Sequence, residues 1–143
     1  MDVFYVKFKH IEKWDYSIWK GFQYDYISDE MITNALNYSN LDNIDLNIDW
    51  EDDYLLQNDN SISDEFKHAI RIAGLVKKIQ SNGIEIIQPI IIDTFTVETC
   101  CSCIYNGHHR IKALQYLKYD RFPASLNGYN SELKKLRPTK KSS

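Results

Sequence analysis

The longest periodic stretch of the chain is "SISDEFKHAIRIAGLVKKIQSNG". Phe66, Ala69, Ile70, Ala73, Val76 and Ile79 recur there at spacings of three and four, which places them on one face of a helix. The spacing predicts a helix over about residues 64–81. Ser63 suits its N-cap, Asp64 and Glu65 suit its partly positive first turn, and Gly83 suits a left-handed C-terminal cap. Upstream, "VFYVKFKH" reads as a strand over residues 3–8, with Phe4, Val6 and Phe8 on one face. Ser28 followed by Met31, Ala35, Leu36 and Tyr38 predicts a short helix over 28–38. Residues 39–60 carry no clear period and are expected to be mostly loop, although Leu46, Ile48 and Trp50 alternate.

Downstream, "IIQPIIID" is a β-branched run that reads as a buried strand. Pro89 cannot donate to a ladder, so it belongs at the strand's start or at a bulge. "TVETCCSCIY" predicts the next strand, about 97–105. Ile111, Leu114, Tyr116 and Leu117 mark a helix over about 108–118, and "FPASL" a short last strand. The order from residue 64 onward is helix, strand, strand, helix, strand. This order predicts an α/β (α+β) fold, a small mixed sheet with packed helices, in one domain over 1–143. An acidic insertion at about 21–62 and a frayed basic tail at about 131–143 complete the expectation.

Charge changes the picture more than composition does. The 43% apolar and 26% charged residues are ordinary for a globular chain. The formal net charge of −3 hides an asymmetry. Residues 21–66 hold 12 Asp/Glu and no Lys/Arg, whereas residues 67–143 hold 13 Lys/Arg and 5 Asp/Glu. One reading is a solvated acidic face beside a basic body. The other is a surface in segment 21–66 built to meet a basic protein partner or to mimic nucleic acid. No apolar run reaches spanning length, so no membrane partner is expected, and the first residues lack a secretory pattern. Three clustered cysteines, Cys100, Cys101 and Cys103, make a poor disulfide framework, and a cytoplasmic protein is expected. Small buried sulfurs in a strand account for them better than a metal site does.

The chemistry concentrates in "YNGHHRIKAL". Helix starts favour negative charge, yet two imidazoles and a guanidinium crowd this one. Backbone N–H groups at a strand–glycine–helix junction point outward and form an anion site. An anion lying between Arg110, His108 and His109 turns the conflict into charge-assisted hydrogen bonds. The competing reading is a capped turn that carries surface histidines. On the anion reading Gly107 is kept small so that phosphate can approach the backbone. A larger residue there is then expected to abolish binding and leave the fold largely intact.

The run "AGLVKKIQSNGIEIIQPIIID … CSCIYNGHHRIKALQYLKYDRFPASL" resembles the ParB/sulfiredoxin superfamily. The shared pattern is an apolar helix, a Gln-Pro leading into a strand, another strand, a Gly-X-(His/Arg)-Arg turn capping a helix, and a last strand. It covers roughly half the chain, residues 66–126. Members of that superfamily bind nucleotides through this turn: sulfiredoxins ATP, partition proteins CTP, and a free-serine kinase ADP. The resemblance implies a nucleotide cofactor, ATP or CTP with Mg²⁺, held by Asn106, Gly107, His108, His109 and Arg110, with Gln88 and Pro89 beside it. Arg110 matches the phosphate-reaching arginine and His109 the histidine of the turn. His108 stands where sulfiredoxins carry their catalytic cysteine, which argues against sulfinic-acid reduction because no thiolate is present. Partition proteins carry an acidic residue in the turn, and this chain does not. Four residues also separate Gly83 from Gln88, where the partition pattern usually has two. Only 17 residues follow Leu126, too few for the DNA-reading helices of partition proteins.

Three functions follow as expectations. The first is nucleotide-dependent phosphoryl transfer or NTP hydrolysis, with His108 as acid or base and the turn stabilising phosphoryl charge. Glu12, with Asp15, follows the first strand where the serine-kinase members keep an acid, and is a candidate base on that ground. The second is a nucleic-acid binder or nuclease using the basic half; the negative net charge counts against it. The third is a non-catalytic inhibitor acting through the acidic segment.

Overall fold

Residue pattern and backbone agree most closely at the long central helix. In the computed structural model, which describes residues 3–11, 24, 26–48, 50–93 and 104–127, this helix (α4) runs Asp64–Asn82. The Ser63 side chain accepts from the Phe66 N–H at 3.2 Å, and Asp64 and Glu65 occupy the first turn. Gly83 follows with φ 87° and ψ 169°, so its positive φ is right but its ψ is not the left-handed cap expected. That extended mirror-image conformation is essentially restricted to glycine. It turns the chain at once into a 3₁₀ turn, Ile84–Ile86.

Four strands form one mixed sheet: β1 (Phe4–Lys7), β2 (Ile90–Asp93), β3 (Ile104–Asn106) and β4 (Arg121–Asn127). Their order is β1-β4-β2-β3. β4 runs antiparallel to β1 and parallel to β2, and β3 runs antiparallel to β2. The register shifts between Ile91 and Ile92, two residues into a strand that Pro89 immediately precedes. The expected first strand stops at Lys7, and Phe8–Ile11 form a short helix (α1) instead. Of the expected strand over 97–105, the part through residue 103 lies outside the described residues, as do the three cysteines and the basic tail.

Helix α5 (His108–Tyr116) connects β3 to β4. It ends in a paired motif: Lys118 N–H donates to Gln115 O and Tyr119 N–H to Leu114 O, both at 3.0 Å, with Lys118 at φ 66°. This is the Schellman arrangement with lysine where glycine is usual. The core lies between sheet and helices. Val6, Ile90, Ile92, Phe122 and Ala124 come from the strands, and Ile70, Ala73, Val76, Ile79, Ile111 and Leu114 from α4 and α5. Helix α2 (Asp29–Ala35) begins as the sequence predicts, with Ser28 accepting from Met31 N–H at 3.2 Å. It buries Ile32 and Ala35, and Thr33 Oγ1 lies 2.7 Å from the Tyr116 hydroxyl of α5.

Among the described residues of 39–60 there is more regular structure than the sequence suggests. Two 3₁₀ turns, Leu41–Asn43 and Trp50–Asp52, and a short helix α3 (Tyr54–Gln57) interrupt the expected loop, and the alternating Leu46, Ile48 and Trp50 form no strand. Leu41 and Leu56 are buried. The organiser is polar. Arg71 of α4, only 6% exposed, donates from Nη1 to Asp53 Oδ2 and to Asp45 O, each at 3.2 Å, and from Nη2 to Ile48 O. Asp53 is 5% exposed and also caps α3 through Leu56 N–H. Lys67 Nζ donates to Gln57 O at 2.6 Å, at the end of α3. Lys77 pairs with Asp42 at 3.3 Å on the surface. The acidic segment thus meets its counter-charges on α4, so part of the charge asymmetry is satisfied within the fold. α4 is buried on more than the predicted face: Ile72 and Leu75 are covered as well.

Breaking a buried pair from one side strands the remaining charge, which costs about 3–5 kcal/mol. Asp53→Ala is expected to lose stability toward the lower end of that range, because Arg71 keeps two carbonyl acceptors. Urea unfolding of wild type and variant measures it; a loss under about 1 kcal/mol, the size of an exposed pair, would mean that Arg71 does not organise the segment.

Candidate functional site

The turn predicted to carry the chemistry lies where β3 hands over to α5. Asn106 is the last residue of β3, opposite Ile91 of β2. Gly107 is the N-cap of α5 at φ 121° and ψ 14°, and His108, His109 and Arg110 form the first turn. No side chain caps this start, and its first turn holds no acidic residue. Among side chains, this leaves imidazole and guanidinium groups beside the positive end of the helix.

Gly107 has a reason to be glycine that does not involve phosphate. A Cβ there would lie 2.8 Å from Ile90 Cγ1 and 3.2 Å from Ile90 Cα, on a backbone that already has positive φ. The close approach is between the turn and β2. The expectation that a larger residue leaves the fold intact is therefore corrected: the side chain would collide with a fully buried strand residue. Gly107→Ala is expected to cost ~2–4 kcal/mol from strained φ and overpacking together. Denaturant unfolding checks this; an unchanged midpoint would show that β2 yields easily.

Arg110 also has work inside the fold. Its Nη1 donates to Gln88 O at 2.7 Å and to Pro89 O at 2.8 Å. The resemblance brackets Gln88 and Pro89 with the turn, and the structure does bring them together, through backbone carbonyls. Arg110 thereby ties the first turn of α5 to the segment that enters β2. Glu12 and Asp15 lie outside the described residues.

His109 points toward α4. Its Nε2 lies 3.0 Å from Nδ1 of His68. Tyr24 stacks on the His109 ring at 4.2 Å between centroids and an interplanar angle of 21°, and lies 4.4 Å from the His68 ring. Trp50 packs on His68 at 4.5 Å and on His109 at 5.2 Å. His108, buried at 8% exposure, meets Tyr24 edge-on at 5.9 Å. Burial above all holds the His109 pKa well below its ordinary range, and the neighbouring His68, Arg71, His108 and Arg110 push the same way. Burial also lowers His68, against a smaller upward pull from Asp64. His109 is therefore neutral near pH 7, and the crowding of three cations suspected from the sequence is relieved at this residue.

The residues that sequence reasoning missed are His68, Tyr24, Trp50 and Arg71. His68 sits 41 residues from its partner, and no local pattern marks the pairing. Among the described residues no group of three His, Cys, Asp or Glu side chains is placed to hold a metal ion. The donors at the turn are N–H groups, imidazole and guanidinium, which suit phosphate oxygens. Magnesium takes oxygen ligands, so a magnesium ion here would come with the phosphates. Among the described residues no helix is long and apolar enough to cross a membrane. Comparison with protein-family models, with curated proteins and with solved structures gave no significant match.

Proposed function

We propose that the chain binds a nucleoside polyphosphate at the first turn of α5. One observation carries the reading: a nine-residue helix starts at a positive-φ glycine with no side-chain cap, and Arg110 is pinned beside it. First-turn amides and a guanidinium are the donors that phosphate groups use. The bonds from Arg110 to Gln88 and Pro89 support this reading by fixing the guanidinium in advance. A phosphate would share the fork or displace a carbonyl from it. Gly107 keeps the turn close to β2, so the amides are held by the sheet and not by a loose loop.

The chemical step is part of the same proposal. His108 stands in the first turn and is the candidate acid or base for phosphoryl transfer or hydrolysis, with Glu12 as its partner on the strength of the resemblance alone. His109 enters as a support: neutral and bonded to His68, it orients the turn and donates no positive charge to a phosphate. This revises the role that the resemblance gives it.

A second reading has its own observation. The described part of the acidic segment packs on α4 with Asp29, Glu30, Asp42, Asp45 and Asp52 exposed. An ordered acidic surface suits docking to a basic protein, and a pure decoy of that kind would bind no nucleotide.

Calorimetric titration with ATP, ADP, CTP and GTP, each with magnesium, separates the two. Binding of at least one is expected, and Arg110→Ala should weaken it by about 1.5–3 kcal/mol, the range for a hydrogen bond to a charged group. Arg110→Lys should recover only part of the loss, because the planar fork is gone. No heat with any nucleotide, or an unchanged affinity in a folded Arg110→Ala variant, would contradict the proposal.

A further inference from the structure

The histidine pair joining α4 to α5 is not needed to bind phosphate, and its construction is unusual for a packing contact. Two imidazoles face each other nitrogen to nitrogen at 3.0 Å. Tyr24 and Trp50, both from the segment before α3, lie over the pair. In the neutral state one nitrogen donates and the other accepts, so the pair is satisfied by a single proton between them. A second added proton would put hydrogens on both facing nitrogens and remove the bond.

Of the surrounding charges, all but Asp64 oppose protonation. From α4 the pair is faced by Arg71 and by Asp64, and from α5 by His108 and Arg110. Asp53, the carboxylate nearest Arg71, is already bonded to it. Asp64 lies at the exposed start of α4, where water weakens its effect. The aromatic rings of Tyr24 and Trp50 pack on the pair and bring no charge.

We propose that His68 and His109 form a proton-operated latch that holds α5 and the acidic segment on α4, closed near neutral pH and released in mild acid. The latch acts on two elements at once, because α5 carries one histidine and the acidic segment carries Trp50 over both. Arg71 couples them, since the same guanidinium that organises residues 45–53 lies close enough to His109 to disfavour its charge. This inference stands whether or not the turn holds a phosphate.

The direction with pH follows from linkage. Unfolded imidazoles take up protons near pH 6.5. The folded pair takes them up only at lower pH. Between those values the unfolded chain binds more protons, so stability is full above about pH 6.5 and is lost as pH falls through the lowered values. Each such histidine can change the folding constant by up to about tenfold per pH unit in that window.

Three measurements on the full chain test the latch. Proton NMR titration of the two imidazoles, assigned through their contacts to the Tyr24 and Trp50 rings, should show both titrating below pH 6.5 and His109 lower than His68. Ordinary titration of both would overturn the proposal even if every variant failed to fold. Urea midpoints at pH 7.5 and 5.0 should fall further for wild type than for the His68→Gln/His109→Gln double variant, which lacks the titrating groups. An equal fall would mean that other groups set the acid sensitivity. Hydrogen exchange across residues 41–57, corrected for the intrinsic rate, should accelerate at pH 5.0 in wild type more than in the strands. Acceleration spread evenly over the whole chain would show global loosening and no latch.

Discussion

Arg71 is the residue on which the largest number of other arrangements depends. It lies buried in the middle of α4 and donates to Asp53, Asp45 and Ile48 across one short stretch of chain. A buried guanidinium is tolerable only where acceptors meet it, and here a stretch of backbone without helical or strand period supplies them. The segment's short turns are shaped by that need more than by their own propensities. Burial above all, then His68 and the same Arg71 charge, lower the His109 pKa, which favours two neutral histidines sharing a hydrogen bond where two charged rings would repel. One cation thus arranges the acidic segment on α4.

The start of α5 has a similar economy. Gly107 and Arg110 were expected to serve a ligand, and the structure gives each a role in the scaffold: Gly107 by letting the turn touch Ile90, Arg110 by binding the carbonyls ahead of β2. On the proposed reading, a phosphate would share the Arg110 fork with these carbonyls or displace one of them. A site works best when its donors are held by the fold before the ligand arrives. The scaffold roles do change how substitutions there must be interpreted, since loss of binding and loss of packing would appear together unless stability is measured alongside.

Legibility in the sequence followed the range of the interaction. Local signals were readable. Ser28 and Ser63 cap the helices they were expected to cap, Pro89 stands just before its strand, and the strand–glycine–helix turn falls at residues 106–108. Gly83 shows the limit of such reading: a glycine after a helix signals a positive φ, but ψ is set by the turn that follows. Long-range polar contacts left no trace. Nothing in "FKHAIR" shows that His68 meets His109 or that Arg71 is buried, because those pairings exist only after α4, α5 and the acidic segment pack. The apparent lack of period in residues 39–60 had the same origin. Its buried positions, Leu41, Asp53 and Leu56, answer to α4 and to no internal repeat.

The proposal that the first turn of α5 is an anion site is tested most directly by amide NMR of the full chain during titration with inorganic triphosphate. The nucleobase is left out, so the measurement isolates the phosphate-binding claim. The largest, saturable shifts should fall on the amides of residues 107–110, with smaller ones at the backbone of residues 88–90 that Arg110 holds. Saturable shifts centred elsewhere, or none at residues 107–110 at millimolar triphosphate, would contradict it.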